Sequence, residues 1–264
     1  MDQKRRSIRT ADGVDISYVV INGIEPAVVI LHGLAGSGQE FLSTARALPG
    51  RKVILVDQRG HGLSTRLPSD TSREAFVRDL VAVIDGEASS PVHLVGHSMG
   101  AHTAMLTAAA RPDLVRALVL LECGEGSGSD QEHAALGEYF RSWPVPFPDR
   151  STAARFLGGG PLQRAWVEDM EYREDGLHPR FDPEVMVAAH TPLAEPRWAE
   201  WGRVQAPTLV VYAADGMFTE EQKAQFTERG NDVTRIDLAR GSHDAHLDAF
   251  EQWIEALTGF LDAR

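Results

Sequence analysis

Apolar residues in this chain fall into short, mostly solid runs separated by stretches with helical spacing. Ala27–Leu31, Val53–Val56, Val92–Val95, Leu118–Leu121 and Thr208–Tyr212 are runs of strand length. Runs without strict polar alternation predict strands buried on both faces of a sheet. Between and after them, Gln39–Leu48, Arg73–Asp85, Met99–Ala110, Thr219–Arg229 and Ala245–Leu261 predict helices. Phe76, Leu80, Val83 and Ile84, for example, recur at helical spacing. Near the start, a turn at Asp12-Gly13 precedes the alternating Val14, Ile16 and Tyr18, which predicts a hairpin. Val233–Ile236 supplies a last strand. Strands alternating with helices predict an α/β fold, with a mostly parallel central sheet covered by helices on both faces.

The rhythm breaks between Cys123 and Gln205. That segment shows no buried strand, only glycines, prolines and short helical patches such as Asp182–His190. It holds four of the five tryptophans: Trp143, Trp166, Trp198 and Trp201. Because the sheet pattern resumes afterwards, the segment is read as an insertion. The expected division is a core of residues 1–122 and 206–264 and a helical lid of residues 123–205. The acidic stretch from Glu168-Asp169 to Glu174-Asp175 is read as a solvated face.

Composition narrows the partners. A chain of 264 residues, 43% hydrophobic, can bury a sizeable core. A net charge of −12 excludes the basic footprint that nucleic acid requires. Cys123 is the single cysteine, so no intramolecular disulfide forms. Met1–Thr10 is basic and leads into no apolar run, so it does not read as a secretory signal. No apolar run has membrane-spanning length. These features predict a soluble cytoplasmic protein with a small-molecule substrate and neither nucleic acid nor membrane as partner.

Three motifs carry chemistry. Gly96-His97-Ser98-Met99-Gly100 follows the Val92–Val95 run and fits the strand-to-helix turn that lifts a serine hydroxyl clear of a sheet. His32-Gly33-Leu34-Ala35-Gly36 follows an earlier strand, and Gly241-Ser242-His243-Asp244 follows the last one. With Asp57-Gln58-Arg59-Gly60-His61-Gly62-Leu63-Ser64, the chain resembles the α/β-hydrolase fold family from about Thr10 to the C-terminus. Its lidded branch includes esterases, lactonases and meta-cleavage-product hydrolases.

The resemblance implies roles. Ser98 is the expected nucleophile and His243 the base that takes its proton. Backbone N–H groups of Leu34 and Met99 form the expected oxyanion hole. The family's usual acid, counted from the Thr208–Tyr212 strand, falls on Gly216, with Asp215 one residue early. Some members carry the acid after the preceding strand, where Glu122 stands. Glu122 is therefore preferred, with Asp215 the alternative. His246 lies inside a predicted helix, His97 fills the variable position of the serine turn, and His32 is structural in the family.

A serine nucleophile sets the chain apart from haloalkane dehalogenases and epoxide hydrolases, which carry aspartate there. The expected reaction is acyl transfer through Ser98 on a small carboxylic ester or lactone. C–C hydrolysis of a diketone-like substrate, amide cleavage, and a hydrolase-fold binding protein without turnover are the rivals. Trp143, Trp166 and Trp198 are candidate substrate-binding residues, against the competing reading that they glue the lid helices together. Arg155, Arg164 and Arg180 are candidate holders of a substrate carboxylate, each otherwise a surface residue. No H-E-x-x-H, phosphate-loop or dinucleotide pattern occurs, so neither metal nor cofactor is expected.

Overall fold

The computed structural model describes residues 3–126 and 128–264. Its strands are β1 (Gln3–Arg9), β2 (Asp15–Ile21), β3 (Ile24–Leu31), β4 (Arg51–Val56), β5 (Val92–His97) and β6 (Val115–Leu121), then β7 (Glu171–Arg173), β8 (Gly176–His178), β9 (Thr208–Tyr212) and β10 (Val233–Asp237). Eight of them form one sheet in the order β1-β2-β4-β3-β5-β6-β9-β10. β1 and β2 pair antiparallel, β2 meets β4 antiparallel, and every pairing from β4 through β10 is parallel.

The sheet splits the core into two layers, which explains the solid apolar runs. Leu94, Leu118 and Val210 face one layer with α2 (Arg73–Glu87) and α3 (Met99–Ala110). Their chain neighbours Val95, Val119 and Val211 face the other, with Phe41 and Trp253. A strand covered on both sides therefore reads as a nearly continuous apolar run, with His93 in β5 a buried exception. β1 is the opposite case. It is an exposed edge strand, and Lys4, Arg5, Arg6 and Arg9 there cost no burial and discourage pairing with another sheet. Its polar sequence hides it from a hydrophobicity pattern.

Two expected helices are broken. Gln39–Leu48 becomes a 3₁₀ turn at Gly38–Phe41 and then α1 (Leu42–Arg46). The last helix divides at Ala249 into α10 (Ala245–Asp248) and α11 (Phe250–Leu261). α9 (Glu220–Arg229) starts at a Thr219 capping box.

Between β6 and β9 the chain forms α4 (Asp130–Arg141), α5 (Arg150–Leu157), α6 (Pro161–Asp169), the β7–β8 hairpin, α7 (Pro183–His190) and α8 (Trp198–Trp201). Phe140, Trp143, Phe147, Val167, Phe181 and Met186 form a core in this insert that also takes in Ala35 from the turn after β3. The small hairpin is absent from the sequence reading because its three-residue strands are too short to show alternation. α8 packs with the main core. Trp201 stacks on Phe226 with ring centres 4.3 Å apart, and its indole N–H donates to the Phe226 carbonyl at 2.8 Å. The acidic stretch is only partly solvated: Arg180 reaches Glu171 at 2.5 Å, and burial pushes the Asp169 carboxyl up to about 7. No helix among the described residues is long and apolar enough to cross a membrane.

Candidate active site

Ser98, Glu122 and the His32-Gly33 turn each follow directly on a parallel strand, at one carboxyl edge of the sheet. Open α/β sheets bind ligands in the crevice at that edge. Ser98 N–H still bonds the Leu121 carbonyl at 3.0 Å, and Glu122 N–H bonds the Val211 carbonyl at 2.9 Å. The chain then turns sharply at both residues. Ser98 has φ 52° and ψ −119°, and Glu122 has φ 52°, conformations that L-residues rarely adopt. The flanking glycines make the serine turn possible. A Cβ on Gly96 would lie 2.5 Å from Ala101 Cα, and one on Gly100 would lie 2.6 Å from the Leu31 carbonyl oxygen. The His32-Gly33 turn is equally close: a Cβ on Gly33 would come within 2.8 Å of His97 Nδ1.

His243 meets Glu122, with Nδ1 3.2 Å from Oε2. The Glu122 carboxylate is fully buried and also accepts the backbone N–H groups of Ala213 at 2.8 Å and Met217 at 2.9 Å. Asp215 is exposed and acts through its backbone, which pairs with the loop before His243: its N–H bonds the Gly241 carbonyl at 2.9 Å. Of the two carboxylates considered, Glu122 is the one that reaches the histidine. A Cβ on Gly216 would overlap the Glu122 carboxylate, so that carboxylate fills the space of the missing side chain.

His97 has a task that its place in the motif did not reveal. Its Nε2–H donates to the His243 backbone carbonyl at 2.8 Å. Burial, reinforced by His246 and His243, holds its pKa well below the usual range, so the ring is neutral. His32 is also buried and neutral, pulled down to about 4 by desolvation. Its Nε2 accepts the Gln58 backbone N–H at 3.0 Å, which ties the turn to the loop after β4. Leu34, partly buried, packs against the cluster that contains Met99. Met99 opens α3, where a backbone N–H has no intrahelical acceptor.

Ser98 and His243 line a shared cavity of about 70 Å³, together with Met99, His102, His190 and Phe218. A larger hollow of about 450 Å³ lies between β10 and α11 around Ile236, Ala256 and Phe260. It is lined by no serine, cysteine or histidine. None of the three candidate tryptophans lines the Ser98 cavity. Trp143 and Trp166 pack on each other, 5.4 Å apart, inside the insert. Trp198 is elsewhere again, 6.3 Å from Phe226 and under the Arg229 guanidinium. Large aromatic area in this insert is spent on packing. Arg155 and Arg164 are bonded within their own exposed segments, and Arg180 is paired with Glu171.

Among the described residues, one group has metal-ligand character: His97, Asp244 and His246 offer atoms within 4.8 Å of one another. The fold assembles it from residues 147 positions apart, which no local motif scan can find. His97 Nε2 is engaged by the His243 carbonyl.

The sequence model of the Alpha/beta hydrolase family matches residues 28–256. The chain belongs to that family. This alpha/beta hydrolase is 40% identical to the sn-1-specific diacylglycerol lipase ABHD11 of Xenopus laevis, across 95% of this chain and 85% of the relative. Matches to ABHD11 of Mus musculus and Danio rerio span only 36% and 49% of those proteins. It is 34% identical to the 2-(acetamidomethylene)succinate hydrolase of Mesorhizobium japonicum, across 95% of this chain and 94% of the relative. The crystal structure of an E-2-(acetamidomethylene)succinate hydrolase superposes with a TM-score of 0.87 at 23% identity, covering 98% of this chain and all of that one, a likeness of fold.

Proposed function

We propose that this alpha/beta hydrolase is a serine hydrolase that forms an acyl-enzyme on Ser98 and cleaves a small carboxylic ester or lactone. The observation that carries the reading is the 3.2 Å contact from His243 Nδ1 to the buried Glu122 carboxylate, beside a cavity shared with Ser98. Glu122 keeps the proton on Nδ1, leaving Nε2 free as a base, and stabilises the imidazolium that forms. His243 takes the Ser98 proton as Oγ attacks the substrate carbonyl. The oxyanion is received by the N–H groups of Leu34 and Met99. His243 then returns the proton to the departing alcohol, and water repeats the sequence on the acyl-enzyme to release the acid. The insert acts as a lid over this edge, excluding water from the cavity.

Amide cleavage is the second reading, favoured by a full-length relative whose name specifies an acetamido substrate. A lone cysteine, Cys123, buried and unpaired, suits a reducing compartment such as the cytoplasm.

The test is turnover of p-nitrophenyl butyrate together with labelling by a fluorophosphonate probe. Both are expected in the wild type and lost in Ser98→Ala. Equal labelling or equal turnover in that variant rejects Ser98 as nucleophile.

A further inference from the structure

Arg59 and Arg73 are both fully buried, yet they are satisfied differently. Arg59 forks onto Asp79, with Nε and Nη2 each 2.6 Å from a carboxylate oxygen, and its Nη1 reaches Asp12 at 3.0 Å. Arg73, the first residue of α2, is bonded to no carboxylate. Its Nη2 donates to the Met99 carbonyl at 3.2 Å and to Thr103 Oγ1, both uncharged. Its Nε and Nη1 have no hydrogen-bond partner among the described residues. The guanidinium lies 4.4 Å from the centre of the Phe76 ring. Burial pulls it down to about 9, with Arg197 the second cause, and it remains a cation at neutral pH. Glu74 acts on it electrostatically, from an exposed position where it also faces Arg197 at 3.6 Å, and a buried charge without a hydrogen-bonded counter-charge is costly.

Its surroundings suggest what the missing counter-charge is. Met99, whose carbonyl it holds, lines the Ser98 cavity. The Arg73 charge acts on the titration of His102 and His190, which line that cavity; at Cys123, also in the lining, Glu125 and the lining residue Glu122 outweigh it. His102 and His190 are buried and neutral, so each ring carries one N–H. His190 Nδ1 and both ring nitrogens of His102 are buried with no hydrogen-bond partner among the described residues.

We propose that the cavity beside Ser98 is an anion site, taking a short acyl group that bears a carboxylate, held in the field of Arg73 and by N–H groups of His102 and His190. The inference rests on the serine-hydrolase reading and names its substrate class. A cavity of about 70 Å³ suits a carboxylate and a few carbons. Arg73 shares the helical face of Phe76, Leu80 and Val83, so an arginine on an apolar stripe is the sequence signal for it.

Calorimetry on the Ser98→Ala protein, titrated with monomethyl succinate and dimethyl succinate, tests the site without turnover. The monoanion is expected to bind about 10- to 100-fold more tightly, the worth of a charge-assisted hydrogen bond, and Arg73→Met in the same background to abolish the difference. Equal affinities, or a preference that survives Arg73→Met, overturn the proposal. A purely structural arginine would lower the melting temperature when replaced. An anion-site arginine leaves it unchanged or raised in Arg73→Met, because an unpaired buried charge is removed. If that variant does not fold, His190→Phe is read in the same way, with a weakened preference expected and an unchanged one overturning the site. Fluorophosphonate labelling of the wild type separates the two readings. Labelling without anion preference overturns this inference alone. Anion preference without labelling overturns the hydrolase reading and leaves the anion site standing.

Discussion

The carboxylate of Glu122 occupies the space that a side chain on Gly216 would fill. Two strand ends, β6 and β9, thus offer alternative origins for one carboxylate beside His243. If Glu122 serves the histidine, Glu122→Gln lowers kcat by about 10³- to 10⁴-fold, the scale set by losing a triad carboxylate, while Asp215→Asn stays within a few-fold. Gly216→Asp alone is expected to destabilise the protein through overlap. The pair Glu122→Ser with Gly216→Asp is expected to recover part of the lost turnover. Steady-state kinetics on the four variants decide the matter.

His97 holds the backbone that carries His243, across 146 residues of sequence. His97→Phe keeps the ring volume and removes the donor. Misplacing a catalytic group by about 1 Å can cost about 10²-fold, so kcat is expected to fall about 10- to 100-fold with KM little changed. His97→Gln, which retains a donor, is expected to recover much of the loss. Equal kinetics in all three proteins would remove His97 from the positioning of the base.

Buried histidines set the acid limit. Burial pulls His32, His93 and His246 down to about 4, and His61 to about 3. Unfolded, each titrates near 6.5. Between those values the unfolded chain binds protons that the folded one refuses, so stability rises with pH there and is lost as pH falls from about 6.5 toward 4. Melting temperatures across that interval are expected to drop steeply. His93→Leu, in β5, flattens the slope, and an unchanged slope would contradict the assignment.

Arg59 and Asp79 form a buried pair whose halves depend on each other. Arg59→Met leaves the Asp79 carboxylate buried and uncompensated. Urea denaturation is expected to show a loss of about 3–5 kcal/mol, as for other broken buried pairs. A loss under about 1 kcal/mol would mean that Asp79 finds another partner or takes up a proton.

Much of this molecule could be read from its residues in order. Val95 to Gly100 announces a strand, a turn and a helix because local backbone demands dictate its glycines. Apolar runs such as Leu118–Leu121 announce a sheet covered twice. Other features depend on residues distant in sequence. β1 is polar because it is an edge, and polarity alone does not mark a strand. The break at Ala249 interrupts a stretch whose apolar spacing runs on through it. Trp198 looked like a substrate contact because a tryptophan signals a need for apolar surface without saying whose. Glu122 and Asp215 could be ranked only by analogy until the folded chain brought one of them to His243. His97 sits in a position the motif leaves variable, and its partner is a carbonyl that no side-chain pattern records.

The turn at Ser98 has a consequence for the protein's tolerance of change. With φ 52° and ψ −119° at a residue bearing a Cβ, part of the folding free energy is held as backbone strain, about 1–3 kcal/mol for a conformation of this kind. Ser98→Gly relaxes it and Ser98→Ala does not. The glycine variant should therefore melt at a higher temperature than either the alanine variant or the wild type while doing no chemistry. Selection for thermal stability alone would favour glycine at this position, and selection for turnover keeps a side chain there.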